Sequence, residues 1–456
     1  MTAAFDHTYE YAYSSGIRAI DNKQHLALAT SSPNHLQPYF FDGQVRSPKL
    51  FGDMLITLSD VVRTHFYLPR PALLDPVLTS NEQLLRLEGF SGCCGVYARV
   101  DLPSDFFEGE CHGKGTTNVD FNAPMRNALM RLRDSEKVEF AVGKQEVALT
   151  TSHESTIEKK VKLPLRWIKG FSEVQAYQPR LTLVMEVSAA DGLQFIRSLP
   201  KTSAPKQPSY AVSRGRGIRL TQRPQKGAVK ISGTHRVRVI EALMHKATSL
   251  RVWSDQEGET SAWEVCFPIG SFFLMISPEV YRGFSGEGQV LSGLGQSINE
   301  AALSKVRAQL TWQSEVNPIA IAELTQLPIA EVDQALLVLG SRGLAGFEVA
   351  TGHYFHRELP FELEKVDELQ PRLKGARNLI EQGKVTAIRA NGQNQENASK
   401  TIKEYEISGS DVNHRVRLSE EGDHCTCVWF SKYQGKRGPC KHILAAQIDA
   451  ENTAKG

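Results

Sequence analysis

Cysteine is scarce and unevenly placed: the chain has seven in 456 residues, three of them within the window 425–440. That excludes a disulfide framework, which needs regularly spaced cysteines in a short secreted chain, and favours reduced thiols holding a metal. Long apolar runs are missing too. The densest stretch, Cys266 to Ser277, falls short of the roughly 20 residues of a membrane span. The first residues show no basic-then-apolar leader, so a cytoplasmic protein without membrane contact is expected. Net charge is almost absent: 53 Lys and Arg against 51 Asp and Glu leave +2, so affinity for a polyanion must come from a local cluster of cations. Low-complexity tracts are also lacking, and a composition with 41% hydrophobic and 23% charged residues belongs to a folded chain. Its length predicts about three domains.

The pattern of apolar positions and of Gly and Pro predicts a multidomain α+β protein. Residues 1–118 read as a β-leaning mixed region around an apolar helix at Leu55–Phe66. Residues 119–290 read as strand, amphipathic helix and further strands, three times over. The first unit runs from Val119 through the helix Pro124–Leu132 into Val138–Leu149. The second has Leu183–Val187, the helix Ala189–Leu199 and strands Tyr210–Val212 and Ile218–Thr221. The third has Val229–Ser232, the helix Val237–Ala247 and strands Leu250–Trp253 and Ala262–Phe267. Such units resemble the sliding-clamp architecture, and a generic α+β domain gives the same pattern. Residues 301–358 hold three helices, Ala301–Gln313, Pro318–Leu327 and Pro328–Leu339, then a ribbon Leu344–Val349 and His353–Arg357. That order is a winged helix-turn-helix, with first-turn prolines and closing glycines at the expected boundaries. Residues 361–456 start with a linker helix Glu364–Gln382, followed by Lys384–Ala390 and a polar loop Asn391–Ser399, before the cysteine-rich end.

Cys425-x-Cys427, a spacer, and Cys440-x-His442 supply three thiols and an imidazole, the ligands Zn2+ prefers in a closed tetrahedral site. Cys425 and Cys427 flank Thr426, so a strand would put both sulfurs on one face, and a tight bend at that point would serve equally well. His414–Leu418 and Val428–Tyr433 read as a hairpin-like pair. Gly435, Lys436, Arg437, Gly438 and Pro439 then turn the chain into a helix opened by Cys440 and His442. The alternative is a buried thiol cluster without metal, a liability for reduced cysteines beside a histidine. His424 is taken as a surface neighbour.

From Glu404 to Ile448, Cys-x-Cys followed by Cys-Lys-His-Ile-x-Ala resembles the SWIM zinc finger, a ββα module of proteins that bind DNA or other proteins. The whole-chain layout, with Cys93-Cys94-Gly95-Val96-Tyr97-Ala98-Arg99-Val100-Asp101 and Gly115-Thr116-Thr117-Asn118-Val119-Asp120-Phe121-Asn122 near the front, is similar to a bacterial SWIM family associated with MoxR-type AAA ATPases and von Willebrand A-domain proteins. That resemblance implies an accessory recognition component working with a separate ATPase, and it transfers no catalytic residue.

Between Gly192 and Ile240 stand eleven Lys or Arg and no Asp or Glu. Arg214, Arg216, Arg219, Arg223, Lys226 and Lys230 are the central ones. Interleaved Gly215, Gly217 and Gly227 allow close approach to a phosphate backbone, and Tyr210 is placed to stack a base. The alternative is a solvated hairpin paired with acids elsewhere. Lys432, Lys436, Arg437 and Lys441 form a second contact set around the zinc loop. The third helix of the winged unit carries Glu331, Asp333 and Gln334 and no cation before Arg342, which makes groove reading unfavourable. That unit is expected to pack on its neighbours or bind protein, with Arg342, His353, His356 and Arg357 as a secondary phosphate contact.

Catalytic motifs fail on spacing. Gly109 to Thr117 is near a phosphate-binding loop, but three residues rather than four separate Gly109 from Gly113-Lys114. Cys93, Cys94, Cys111 and His112 are a poor second metal set because adjacent thiols seldom chelate one ion. The expected function is therefore a non-catalytic, zinc-binding recognition component that binds nucleic acid, DNA rather than RNA. A protein-interaction scaffold is the competing class.

Overall fold

The computed structural model describes residues 17–20, 23–26, 28–29, 39–66, 76–81, 83–108, 114–118, 121–143, 145–151, 155–159, 165–201, 208–284, 288, 290–291, 299–359, 370–388, 403–409, 412–419 and 422–455. Most of the near-miss phosphate loop, Cys111, His112, the polar loop 391–399 and the start of the expected linker helix lie outside these residues.

In chain order, β1 (Ile17–Ile20), β2 (Lys23–Leu26), β3 (Leu28–Ala29) and β4 (Tyr39–Val45) precede α1 (Pro48–Arg63). Then come β5 (Val77–Ser80), β6 (Leu84–Phe90), β7 (Val96–Pro103), β8 (Phe107–Glu108), β9 (Gly115–Asn118) and α2 (Ala123–Arg131). β10 (Glu139–Gly143), β11 (Gln145–Thr150) and β12 (Ser155–Lys159) lead to α3 (Leu165–Tyr177). β13 (Thr182–Ser188), α4 (Ala189–Ser198), β14 (Ser209–Arg214), β15 (Gly217–Thr221) and β16 (Val229–Ile231) follow. Next, α5 (Thr234–Val237) runs into a 3-10 helix (Arg238–His245), then β17 (Ser249–Ser254), β18 (Ser261–Cys266) and β19 (Ser271–Ile276). The last part has α6 (Glu300–Ala308), α7 (Pro318–Thr325), α8 (Ile329–Ser341), β20 (Ala345–Glu348), β21 (His353–His356), α9 (Pro371–Glu381), β22 (Val385–Ile388), β23 (Lys403–Ser408), β24 (Asn413–Leu418), β25 (His424–Cys425), α10 (Val428–Tyr433) and α11 (Lys441–Lys455). The whole is mixed α+β.

An eight-stranded antiparallel sheet, in the order β13-β17-β18-β19-β7-β6-β5-β9, organises the molecule and takes strands from both sides of residue 118. β12-β11-β3-β10-β4-β8 form a second sheet, and β15-β14-β16 a third. Val119 lies outside the described residues; the helices and strands expected from 123 to 267 form, with the helix expected at Val237–Ala247 as a 3-10 helix, but their strands are divided among these three sheets. β13 is the terminal strand of the large sheet, and its pairing with β17 slips between Leu183 and Met185. Leu183 and Val184 are exposed there.

α1 begins earlier than expected, at Pro48, because a proline in the first turn lacks only an amide that has no helical partner. Phe51, Met54, Leu55, Leu58, Val61 and Val62 recur at three- and four-residue spacing and are fully buried. Each contributes about 1.5–3 kcal/mol by leaving water. Gly52 lets α2 come close: a Cβ there would lie 2.5 Å from the Leu129 carbonyl oxygen. α3 has no counterpart in the sequence expectations, although Trp167, Phe171 and Val174 keep helical spacing and are fully buried. It supports α8, whose Ser341 carbonyl accepts the Ser172 hydroxyl at 2.7 Å.

α6, α7, α8 and the β20–β21 hairpin appear in the expected order, with Val316 bridging to Tyr354. The hairpin is not free, however. Arg86 and Arg99 of the large sheet both donate to Asp101 at 2.7 Å, and both reach Glu348 at the end of β20. Arg99 also donates to the Phe347 carbonyl at 3.0 Å. Arg357 pairs with Glu88, which accepts the Tyr97 hydroxyl at 2.7 Å. Arg357 and His356 are buried, and His353 faces Glu315 at 3.6 Å. The secondary phosphate contact expected from the wing is thus corrected at two of its four residues: Arg357 is buried and spent on holding the unit against the sheet, and His356 is buried and accepts the Trp312 amide, while Arg342 and His353 are half-buried.

Arg99→Met leaves Asp101 and Glu348 buried without a full counter-charge, and urea unfolding should register a loss of about 3–5 kcal/mol. Glu264, buried and accepting the Trp253 indole N–H at 3.2 Å, is raised to about 6 by burial and then by the Glu348 charge. An acid raised in the folded state holds its proton there while the unfolded chain has lost its own. Glu264 therefore subtracts stability as pH climbs from about 4.5 to 6 and beyond. Glu264→Gln should match the parent near pH 4 and exceed it above pH 6 by about 2 kcal/mol, as read from paired urea titrations across that range.

Candidate metal centre and basic hairpin

β24 pairs with β25 so that Val416 faces Cys425, and the chain bends at Thr426, whose amide donates to the Arg415 carbonyl at 3.0 Å. Cys427 then caps α10, its sulfur accepting the Phe430 amide at 3.4 Å. This corrects the strand expected at Val428–Tyr433. A sulfur placed to accept an orphan first-turn amide starts a helix instead. Gln434, in the left-handed region at φ 46°, ends α10. The spacer then delivers Cys440 and His442 to the start of α11, where the Ile443 amide donates to the Cys440 sulfur at 3.5 Å. Cys427 likewise offers its amide to the Cys425 sulfur at 3.4 Å.

The donor atoms of Cys425, Cys427, Cys440 and His442 all lie within 4.8 Å of one another, and all four residues are buried. Cys425 Sγ stands 3.8 Å from His442 Nδ1. Zn–S bonds of about 2.3 Å in tetrahedral array put sulfurs about 3.8 Å apart, so the four fit zinc with no position left over. The thiol of Cys427 is held well below its ordinary range by hydrogen bonds from Cys425 and then Cys440. The same Cys427 contact, followed by that of Cys440, pushes Cys425 up. Thiols so close share one negative charge among themselves. A divalent cation lets all three ionise, and the converging amides suit thiolates as acceptors.

Arg372 on α9 was not anticipated. Its guanidinium donates to the carbonyls of Arg437 at 3.1 Å and Pro439 at 2.7 Å and stacks over Trp429 at 4.7 Å. It grips the spacer just before Cys440 from outside the motif. No signal in the sequence around Gln370-Pro371-Arg372 marks it. Leu373, Ala376 and Leu379 of α9 are buried beside Ile443, Leu444 and Ala445 of α11 in one apolar cluster.

The four cations expected around the zinc loop divide. Arg437 is taken by Glu279 in a two-pronged pair, one arm at 2.6 Å, and lies over Tyr433 at 4.2 Å. It locks the spacer to the loop after β19 rather than facing a ligand. Lys432, Lys436 and Lys441 are exposed.

The basic stretch divides in the same way. Arg236 is fully buried and donates to carbonyls of Ser232, Gly95 and Ser277. Arg238 holds the carbonyls at the end of α4 and pairs with Glu241, Arg197 approaches the same Glu241 at 3.4 Å, and Lys230 pairs with Glu259. Of the rest, Lys201 is exposed after α4, Lys206 lies outside the described residues, and the others stand on the β14–β15 hairpin and the loop after it. Arg214, Arg216, Arg219, Arg223 and Lys226 are exposed with no acidic partner among the described residues. The two-residue turn places Gly215 at φ 59°, the left-handed conformation a tight hairpin needs at that position. Cys94 is buried, with its thiol 3.8 Å from the Arg166 carbonyl, and among the described residues the C-terminal four form the one metal-competent cluster. No helix among the described residues is long and apolar enough to cross a membrane.

Residues 414–448 match the SWIM zinc finger family. No curated protein matches the chain. Among solved structures, the proliferating cellular nuclear antigen of Entamoeba histolytica is similar at 10% identity and a TM-score of 0.36, over 53% of this chain and 99% of that one. The PCNA2-PCNA3 complex of Sulfolobus tokodaii is similar at 9% identity and a TM-score of 0.39, over 52% of this chain and 99% of that one.

Cys440→Ser should release the metal and unfold residues 403–455 while the upstream sheets stay protected, as read by metal analysis and limited proteolysis. Protection of that tail surviving exhaustive chelation would sink the assignment. Arg372→Ala should leave the ligands in place but weaken zinc retention about tenfold against a competing chelator.

Proposed function

We propose that this chain is a non-catalytic zinc-binding protein that binds nucleic acid through its β14–β15 hairpin, as a recognition component of a larger complex. One observation carries this reading. In a chain of nearly balanced charge, Arg197, Lys230, Arg236 and Arg238 of the basic stretch are paired or buried, while Arg214, Arg216, Arg219, Arg223 and Lys226 crowd a single exposed hairpin and loop. Such a one-signed patch attracts a phosphate backbone and releases its counterions. Lys432, Lys436 and Lys441 make a second, smaller contact set.

Zn2+ is the metal we assign, on the chemistry of three thiols and an imidazole. A cage closed by four protein ligands leaves no position for substrate, which supports a structural rather than a catalytic ion. DNA in preference to RNA follows from the SWIM resemblance. Partnership with a MoxR-type ATPase and a von Willebrand A-domain protein follows from the whole-chain resemblance, and a cytoplasmic location from the reduced thiols.

We read α6, α7, α8 and the β20–β21 hairpin as a winged helix that serves protein contact. Ile319, Leu324 and Ile329 are exposed around the α7–α8 turn. Between Pro318 and Ser341 there are three acids, Glu323, Glu331 and Asp333, and no Lys, Arg or His. That surface favours the second reading, a protein-interaction scaffold.

Equilibrium binding across a salt series separates the two. Replacing Arg214, Arg216, Arg219 and Arg223 with alanine should lower affinity for any sequence alike and flatten the log–log salt slope by about three to four. Affinity unchanged by those substitutions, or absent from the start, favours the scaffold.

A further inference from the structure

We infer that the solvent face of the three-stranded sheet is a stacking platform for single-stranded nucleic acid, with Tyr210 as the base-contacting side chain; this rests on the nucleic-acid reading above. β14 is the central strand of that sheet. Tyr210 lies directly opposite Thr221 on β15 and Lys230 on β16, and Val212 lies opposite Arg219. Because side chains alternate along a strand, Tyr210, Val212 and Arg214 share a face with Arg219, Thr221 and Lys230. The opposite face carries Ala211, Val229 and Ile231, which are buried in the main core, with Ile218 and Leu220 packed against it. Val212, between Tyr210 and Arg214, is buried but belongs to neither apolar core. The sheet thus has an apolar inner side and an outer side with one aromatic ring among three cations.

Those three cations are not equivalent. Lys230 is tied to Glu259, while Arg214 and Arg219 are exposed and lie diagonally across β14 and β15. A rise of about 3.3 Å per residue puts Arg214, four residues on, about 13 Å beyond Tyr210 along the strand. A backbone following the strand would meet Arg219 and then Arg214 after leaving the ring. Tyr210 is half-buried, so its ring is braced by neighbours yet open to solvent.

A ring on a flat sheet can stack only a base whose face is open, and a duplex keeps its faces covered. Groove reading by a helix is disfavoured as well: α8 presents Glu331 and Asp333 and has no cation, and the hairpin beside it is docked on the large sheet. The accessible chemistry therefore matches an unpaired strand, in which bases stack on the ring and phosphates meet the guanidinium groups.

Fluorescence anisotropy of the full chain with a labelled thirty-nucleotide oligothymidylate, an oligouridylate of the same length and a thirty-base-pair duplex tests this. Tyr210→Ala should weaken both single strands about tenfold and leave the duplex unchanged, because one base-aromatic stack is lost. Tyr210→Phe should bind like the parent, and the pair Arg214→Ala with Arg219→Ala should weaken all three ligands. The two single strands tell DNA from RNA as the source of the bases. Unchanged single-strand binding by a folded Tyr210→Ala chain, or a duplex bound as tightly as the single strands by the parent, overturns the platform while leaving the cationic hairpin standing. No binding to any of the three overturns both.

Discussion

Arg99, Arg236 and Arg357 are shut off from water, and a guanidinium in that position must be matched by acceptors or the fold fails. Their partners join parts of the chain far apart in sequence. Arg99 reaches Glu348, Arg357 reaches Glu88, and Arg236 ties the turn before the 3-10 helix to the carbonyls of Gly95 and Ser277. The large sheet, the three-helix unit and the helix layer are thereby set against one another. The same demand for pairing explains why unpaired charge on the β14–β15 hairpin stands out.

Local patterns made much of this fold legible. The helical period within Leu55–Phe66, the first-turn proline at 318 and the alternation through Tyr210–Thr221 each reflect a cause that acts within a few residues. Contacts between distant segments left no such trace. Nothing near Arg357 in the sequence points to Glu88, so that arginine reads as free when it is committed. α3 was readable from the spacing of Trp167, Phe171 and Val174, yet no Ser, Thr, Asp or Asn stands just before it to mark an N-cap.

The metal centre shows both sides of this. Its ligands were readable because Cys-x-Cys and Cys-x-His have few other uses, and the structure brings the four together. α10 was misread because a sulfur is seldom counted among helix caps, although it accepts a first-turn amide as an oxygen would. Arg437 was misread because its fate depends on Glu279, on a loop well over a hundred residues earlier. Arg372 was invisible because its partners are main-chain carbonyls, which every residue has.

The large sheet also has a margin to manage. A straight terminal strand with bare amides and carbonyls invites another chain to pair with it. β13 carries its slip between Leu183 and Met185 on that margin, which puts donors and acceptors out of step for any strand laid alongside. Leu183 and Val184 can thus stay exposed without seeding fibrils, and the sheet stops growing at eight strands.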